Sequence, residues 1–505
     1  MQRRNFMAGL ATVPLAAQAN HLYWKPFRET DDVALSSPHA AWKNSFHRVP
    51  PSYESRVPMR IPEGLRGVLY RNGPALMTLG GTRYRHWLDG DGMVHAFRFD
   101  GGALRHHARM VATNKLTAEL KAGRRTAPGF GTSLPGTAAV GRDDTNTANI
   151  NTLMVNGELW ALWEGGAPYV MNPDTLATVG RKNWSPEMDS LPFSAHPRVD
   201  ASGNVWSFGY LPGSGNFLPG GSAISVCQLN ASGAMVRQAF VPAPNSDMVH
   251  DFAITERYLV FVLMPYRFDS TLTDPALSLL GHYQWQAGQP ATVLVVDKAT
   301  LGVVRRIDIP TVSLFHLGNA WERGNTLRFA IINYRDFSEV MNKLGTAMDS
   351  AAMSWPESRW TEFEVDLAAG TVRTWQPYAD TVEFPHYDLR RTGRETRYAY
   401  VMASRHPAAQ PLFGMNVVRA VDHKTERMQE YDYGQQVVAE EHVFVPAPGS
   451  DVENRGWLIG TALDWKQRRT LVSIFNAERV QDGPMEQVAL PYGVPLGIHG
   501  RFHAS

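Results

Sequence analysis

Apolar and polar residues alternate with a period of two along most of this chain, and the alternating runs come in pairs around short Asp/Asn/Gly turns. Alternation predicts half-buried β-strands, and a pair joined by such a turn predicts a β-hairpin. Seven such units follow one another. They are 94–111 around Asp100-Gly101-Gly102, 170–184 around Asn172-Pro173-Asp174, 224–241 around Asn230-Ala231-Ser232-Gly233 and 293–309 around Asp297-Lys298. Then come 361–375 around Asp366-Leu367, 417–433 around Asp422-His423 and 471–490 around Asn476-Ala477. The turns stand 54 to 74 residues apart, more than a typical ~40–50-residue propeller blade, which leaves room for loops within each repeat. Helical patterning is confined to 117–125 and the stretch near 336–348.

Radial repetition of four-stranded sheets protects strand edges in an all-β chain of this size. The expected fold is therefore all-β, a seven-bladed β-propeller with short helices and loops capping one face. The alternative, two β-sandwiches in tandem, lacks a Pro/Gly/Ser-rich linker to divide the chain. The expected organisation is a single propeller catalytic domain over 58–505, preceded by an N-terminal extension over 20–57.

Four histidines share a position in this repeat. They are His196 in Ser194-Ala195-His196-Pro197, His250 in Val249-His250-Asp251-Phe252, His316 in Phe315-His316-Leu317-Gly318 and His499 in Ile498-His499-Gly500. Each lies where a new strand-like segment begins, and the first strand of a propeller repeat lies against the central axis. Four blades would thus aim an imidazole at one point. Neutral imidazole is the commonest protein ligand of Fe, Zn and Cu, so a metal centre is expected. Most of the 17 histidines are expected at the surface or in structural hydrogen bonds, and the competing reading makes these four structural as well.

Composition narrows the field. With 49 Lys and Arg against 48 Asp and Glu, nothing argues for nucleic acid. The lone Cys227 rules out an intrachain disulfide or a Cys-ligated cluster and is expected in the core. Residues 1–19 read as a Tat-like signal peptide: Arg3-Arg4-Asn5-Phe6 precedes an apolar run ending in Ala17-Gln18-Ala19. Such a segment predicts export to a bacterial periplasm. No run of about 18 apolar residues follows, while the apolar stretch 272–285 reads as either a lip for peripheral membrane contact or a packed loop.

Arg71-Asn72-Gly73-Pro74, the run Trp87-Leu88-Asp89-Gly90-Asp91-Gly92-Met93-Val94-His95 and the four histidine motifs resemble the carotenoid cleavage oxygenases. That family also contains lignostilbene and isoeugenol dioxygenases. The similarity runs from about Pro58 to His499. It implies Fe(2+) on the propeller axis, ligated by His196, His250, His316 and His499. It further implies Glu164, Glu383 and Glu441 as hydrogen-bond acceptors for His250, His316 and His499 respectively. The physics agrees, since a ligating His donates its other N–H to a partner that fixes its tautomer. Glu440 competes with Glu441, and alignment on Phe444-Val445-Pro446 favours Glu441. One departure is Ile150 in Ala148-Asn149-Ile150-Asn151, where the family commonly has Thr near the open iron positions.

The implied chemistry is scission of a C=C bond of a lipophilic or aromatic alkene by O2 into two carbonyl products. Four histidines leave up to two octahedral positions open, and no phosphate-cradling Gly loop for a nucleotide cofactor is present. Candidate substrate-channel residues are Phe130, Ile150, Trp163, Phe315, Phe337 and Phe384. Stilbene-cleaving members engage the substrate phenol with a Lys and a Tyr, and 141–151 contains no Lys; this tilts the expectation toward a carotenoid or apocarotenoid polyene. Lignostilbene or phenylpropenoid cleavage, a metal-dependent isomerase or hydrolase on the same scaffold, and a non-enzymatic binding platform are the competing readings.

Overall fold

A computed structural model describes residues 53–505 apart from 135, 138–141, 190, 212–221, 244–246, 270, 273–277, 348–353 and 406–413. Seven antiparallel sheets, six of four strands and one of five, form the blades of a seven-bladed β-propeller. In chain order from inner to outer edge, blade 2 is Asn151–Val155, Glu158–Leu162, Tyr169–Met171 and Thr178–Arg181. Blades 3 to 7 repeat the pattern, with inner strands Arg198–Val199, Ala253–Ile254, Ser313–Arg323, Val382–His386 and Val437–Pro446.

All seven hairpins expected from the alternation are present, each as an outer strand pair. In blade 3, Ile224 stands opposite Val241 across Ala223–Leu229 and Met235–Pro242. The turn residues act through their side chains: Asn230 Oδ1 accepts from the backbone N–H of Ser232 and Ala234. Asp297 does the same for Ala299 and Thr300, and Asp366 for Ala368 and Ala369. This local bonding is why Asx residues recur at that point of the repeat.

Blade 1 closes the ring. The C-terminal strand His499–Ala504 is its inner strand and pairs with Gly67–Leu76, which pairs in turn with Asp91–Asp100. The register sets His499 opposite Asn72. Asn72 Nδ2 donates to the carbonyls of Ala148 and Asn151 at 2.8 and 3.0 Å, tying blade 1 to blade 2. Gly92 is needed for close approach, since a Cβ there would stand 2.2 Å from the Ala148 carbonyl oxygen. Asp91 lies in a fully buried ion cluster with Lys115, Glu119 and Arg125. The motifs Arg71–Pro74 and Trp87–His95 therefore build the closure. Between blades the faces interdigitate, as where Phe208 packs on Phe252 and Phe261 at ring separations of 5.1 and 5.3 Å.

The two helices differ slightly from expectation. Helix α1 is Asn114–Ala122, starting three residues before the patterned stretch, because Thr113 caps Leu116 N–H and Gly123, at φ +67°, ends it. Helix α2, Phe337–Thr346, is capped by Asp336 and packs near Trp87–Asp89. The extension also differs at its end: Tyr53–Pro58 pairs with Ala103–Met110 as a fifth strand of blade 1, so the sheet begins five residues before position 58. The signal-like segment 1–19 lies outside the described residues, as does 273–277 of the apolar stretch. Of the described residues of that stretch Tyr283 is buried, stacking on Tyr266 at 5.0 Å, while Leu279 and Gln284 are exposed and the others are half-buried. Among the described residues no helix is long and apolar enough to cross a membrane.

Candidate metal centre

Every blade sends one residue to the axis. His196 stands two residues before the inner strand of blade 3, His250 three before that of blade 4, His316 lies in that of blade 5, and His499 begins that of blade 1. The other three blades supply carboxylates: Glu164 just after the second strand of blade 2, Glu383 and Glu441 from the inner strands of blades 6 and 7. In blades 5, 6 and 7 the inner strand breaks register at the axial residue, between Leu314 and Leu317, Glu383 and His386, and Ala439 and His442. Such bulges re-aim side chains that regular alternation would send into a blade face. At Phe384 the deviation includes a left-handed backbone, φ +55°.

The four histidines are buried, and one ligand atom from each lies within 4.8 Å of all the others. Nε2 of His196 stands 3.0 Å from Nε2 of His250, and Nε2 of His316 stands 3.0 Å from that of His499. Their Nδ1 atoms face outward. His250 Nδ1 donates to Glu164 Oε2, His316 Nδ1 to Glu383 Oε2 at 2.6 Å, and His499 Nδ1 to Glu441 Oε1 at 3.1 Å. Glu440 instead pairs with Arg71 at 3.1 Å and accepts from Gly497 N–H.

This tautomer pattern tests the fit of a metal. When neutral, His316 and His499 carry their protons on Nδ1 and turn lone pairs toward each other at 3.0 Å. Only a proton or a cation between them relieves that repulsion. Two cis ligands about 2.1 Å from an octahedral ion stand about 3.0 Å apart, so the spacing suits a transition metal. Electrostatics favours the neutral form at two positions, since burial lowers the pKa of His196 and His499. At His316 burial also lowers it, but the Glu383 carboxylate outweighs burial and the pKa is raised. Burial raises Glu441, yet the hydrogen-bonded imidazole of His499 opposite it, with His386 and Arg71, brings it down to about 2. Burial raises Glu383 as well, but His316 and its other hydrogen-bond donors outweigh burial and lower it, so Glu383 and Glu441 remain ionised to offset a cation.

Two tyrosines escape the sequence reading. Tyr210 O–H donates to Glu164 Oε1 at 2.9 Å and Tyr334 O–H to Glu383 Oε1 at 2.5 Å. Each sits near the end of a second strand in a His-bearing blade, a repeat position that could have flagged them.

The expected channel residues separate into groups. Phe315 lies 5.0 Å from the His250 ring, and Phe384 lies 5.8 and 5.5 Å from His316 and His499. Ile150 is buried beside them, its carbonyl accepting from His499 N–H at 3.2 Å. Phe337 stands behind Phe315 at 5.0 Å. Phe130 packs edge-on to His86 at 5.8 Å, and Trp163 packs against the same apolar cluster. Neither has a recorded ring contact with the four histidines.

The family model described as Retinal pigment epithelial membrane protein (RPE65) matches residues 46–504. The chain belongs to the RPE65/carotenoid cleavage oxygenase family. Apocarotenoid-15,15'-oxygenase of Synechocystis sp. is 28% identical over 479 residues, covering 91% of this chain and 95% of that protein. Lignostilbene-alpha,beta-dioxygenase isozyme III of Sphingomonas paucimobilis is 27% identical over 461 residues, covering 88% of this chain and 92% of that one. Among solved structures, cobalt-substituted Synechocystis apocarotenoid oxygenase superposes with a TM-score of 0.82 at 26% identity, covering 93% of this chain and 99% of that one. Membership in this oxygenase family makes the chain an enzyme.

Proposed function

We propose that this chain is a non-haem Fe(II) dioxygenase that cleaves one C=C bond of a carotenoid- or apocarotenoid-like polyene. The observation carrying this reading is the set of four buried imidazoles whose Nε2 atoms converge while carboxylates hold three of the Nδ1 atoms. His196, His250, His316 and His499 would hold the iron, and Glu164, Glu383 and Glu441 would orient the last three. Ferrous iron bound there supplies the redox chemistry that activates O2. The balance is R–CH=CH–R′ + O2 → R–CHO + R′–CHO; the C=C and O–O bonds break, two C=O bonds form, and no external reductant is consumed. No side chain has to act as nucleophile or general base. Phe315, Phe384 and Ile150 give a conjugated alkene an apolar surface to lie on beside the histidines, which is the positioning task left to the protein.

The polyene is preferred because 141–151 carries no Lys to engage a phenol. Similarity to the lignostilbene enzyme keeps an aromatic alkene as the second reading. The twin-arginine start further supports export to the periplasm as part of this proposal, with 272–285 as the segment to examine for peripheral membrane contact. Incubating the iron-loaded protein with apocarotenoid and stilbene panels, first anaerobically and then with O2, tests the reading. O2-dependent aldehydes from the apocarotenoids are expected. Aldehydes from stilbenes alone would transfer the assignment to the second reading, and conversion without O2 would indicate an isomerase or hydrolase.

A further inference from the structure

The face of the histidine cluster lined by Phe315 is apolar, but a second approach to it is not. A cavity of about 60 Å³ touches His196, His316 and His499 and is also lined by Arg198, Tyr387 and Arg501 and by the carboxylates of Asp251 and Glu441. It shares Arg198, Tyr387, Leu389 and Arg501 with a wider space of about 530 Å³ that adds Arg390 and Arg394. The two form a funnel whose walls carry four arginines and whose narrow end meets the histidines.

Three of these guanidinium groups are spent on carboxylates. Arg198 Nη2 donates to both carboxylate oxygens of Asp251 at 2.7 and 2.8 Å, Arg390 lies 2.7 Å from Asp388, and Arg394 lies 3.4 Å from Glu256. Arg501 differs. Its one recorded hydrogen bond goes to the Pro197 carbonyl at 2.7 Å, and it has no recorded carboxylate partner among the described residues. The neighbouring carboxylates are engaged elsewhere: Asp251 also accepts from the N–H of Leu317 and Phe252, and Glu441 accepts from His499 and Gly500 N–H. A guanidinium offers five N–H donors in a planar fork that matches an oxyanion, and the one hydrogen bond of Arg501 leaves donors to face the cavity.

We propose that the narrow end of this funnel is a small-anion subsite, in which Arg501, assisted by Arg198 and Tyr387, binds a planar carboxylate or bicarbonate-sized oxyanion. The cavity suits such a ligand, since a water molecule occupies about 30 Å³ of liquid and a three- or four-atom anion fills little more. This subsite meets the proposed alkene surface at Phe384, which lines the cavity, lies apart from Phe315 and does not depend on which substrate is cleaved.

Calorimetric titration of the metal-loaded protein with sodium formate at fixed ionic strength tests it, using the unaltered chain, Arg501→Gln, Arg501→Lys and Arg394→Gln. Saturable one-to-one binding is expected, weakened at least tenfold by Arg501→Gln, less by Arg501→Lys and under twofold by Arg394→Gln. Metal content and circular dichroism are measured alongside, so that a misfolded Gln variant leaves the Lys variant to decide. Absence of saturable binding to the unaltered chain would overturn the proposal and leave Arg501 as counter-charge to the surrounding carboxylates. Equal affinity in both Arg501 variants would overturn it too, by moving formate onto the metal.

Discussion

Replacing each of the three glutamates by glutamine separates their charge from their hydrogen bonds, and the structure ranks the outcomes. Glu383 accepts from His316 Nδ1 and Phe384 N–H through Oε2 and from Tyr334 O–H through Oε1. In Glu383→Gln the amide oxygen can take the Oε2 position and serve both N–H donors, while the NH2 group meets a hydroxyl that rotates to accept. Glu164 is alike, with His250 on one oxygen and Tyr210 O–H on the other. Both substitutions lose mainly charge, and removal of a partner of this kind costs about 10- to 100-fold in metal affinity. Glu441 has no reversible partner, since Oε1 meets His499 Nδ1 and Oε2 meets Gly500 N–H. In Glu441→Gln the new amide must point its NH2 at one of them. Facing His499, it moves the imidazole proton to Nε2, where a metal would have to displace it. Facing Gly500, it leaves a buried N–H unsatisfied, worth roughly 1–3 kcal/mol. Glu441→Gln is therefore expected to weaken Fe(II) about tenfold more than Glu164→Gln or Glu383→Gln. Competition against a chelator of known affinity, with circular dichroism to verify folding, reads this directly. Equal loss in all three, or a milder loss at Glu441, would refute the tautomer argument.

His316→Ala should lose iron and activity together, read as metal content and turnover on one preparation; full iron would remove His316 from the ligand set. Gly92→Ala should destabilise the ring closure by about 3 kcal/mol or more, because its Cβ meets the Ala148 carbonyl oxygen; an unchanged denaturation midpoint would contradict the close approach. Burial raises Glu362, on the third strand of blade 5, from 4.5 to about 7. A carboxyl whose folded pKa is raised adds stability below its unfolded pKa, and this is lost as pH rises toward 7. The loss is on the order of 3 kcal/mol between pH 4.5 and 7, and Glu362→Gln should flatten that part of the stability–pH curve; an unchanged slope would rule Glu362 out as its source.

Much of this is legible because the repeat is periodic. Asx residues at hairpin turns mark the outer strands, and once those are placed the histidine motifs fall on inner-strand positions. The short inner strands Arg198–Val199 and Ala253–Ile254 carry almost no alternation of their own and are seen only through that phase. Other features have no local signal. The bulges that re-aim His316, Glu383 and Glu441 break the very periodicity that identifies strands. Tyr210, Tyr334, Arg198 and Arg501 act through contacts 46 to 304 positions away in sequence. Phe130 and Trp163 are aromatics close to motifs in sequence, and they pack on the same apolar cluster as Ile150, Phe315 and Phe337. The preference for Glu441 over Glu440 rests on alignment, and the same bulge points the two side chains to different partners.

The most direct test of the central claim is the metal content of the purified protein, measured with the labelling of the products formed under ¹⁸O2. The account predicts about one iron per chain and ¹⁸O in both aldehydes of a cleaved polyene. A folded protein that takes up no iron after Fe(II) reconstitution, or iron-dependent conversion without incorporated oxygen, would contradict it.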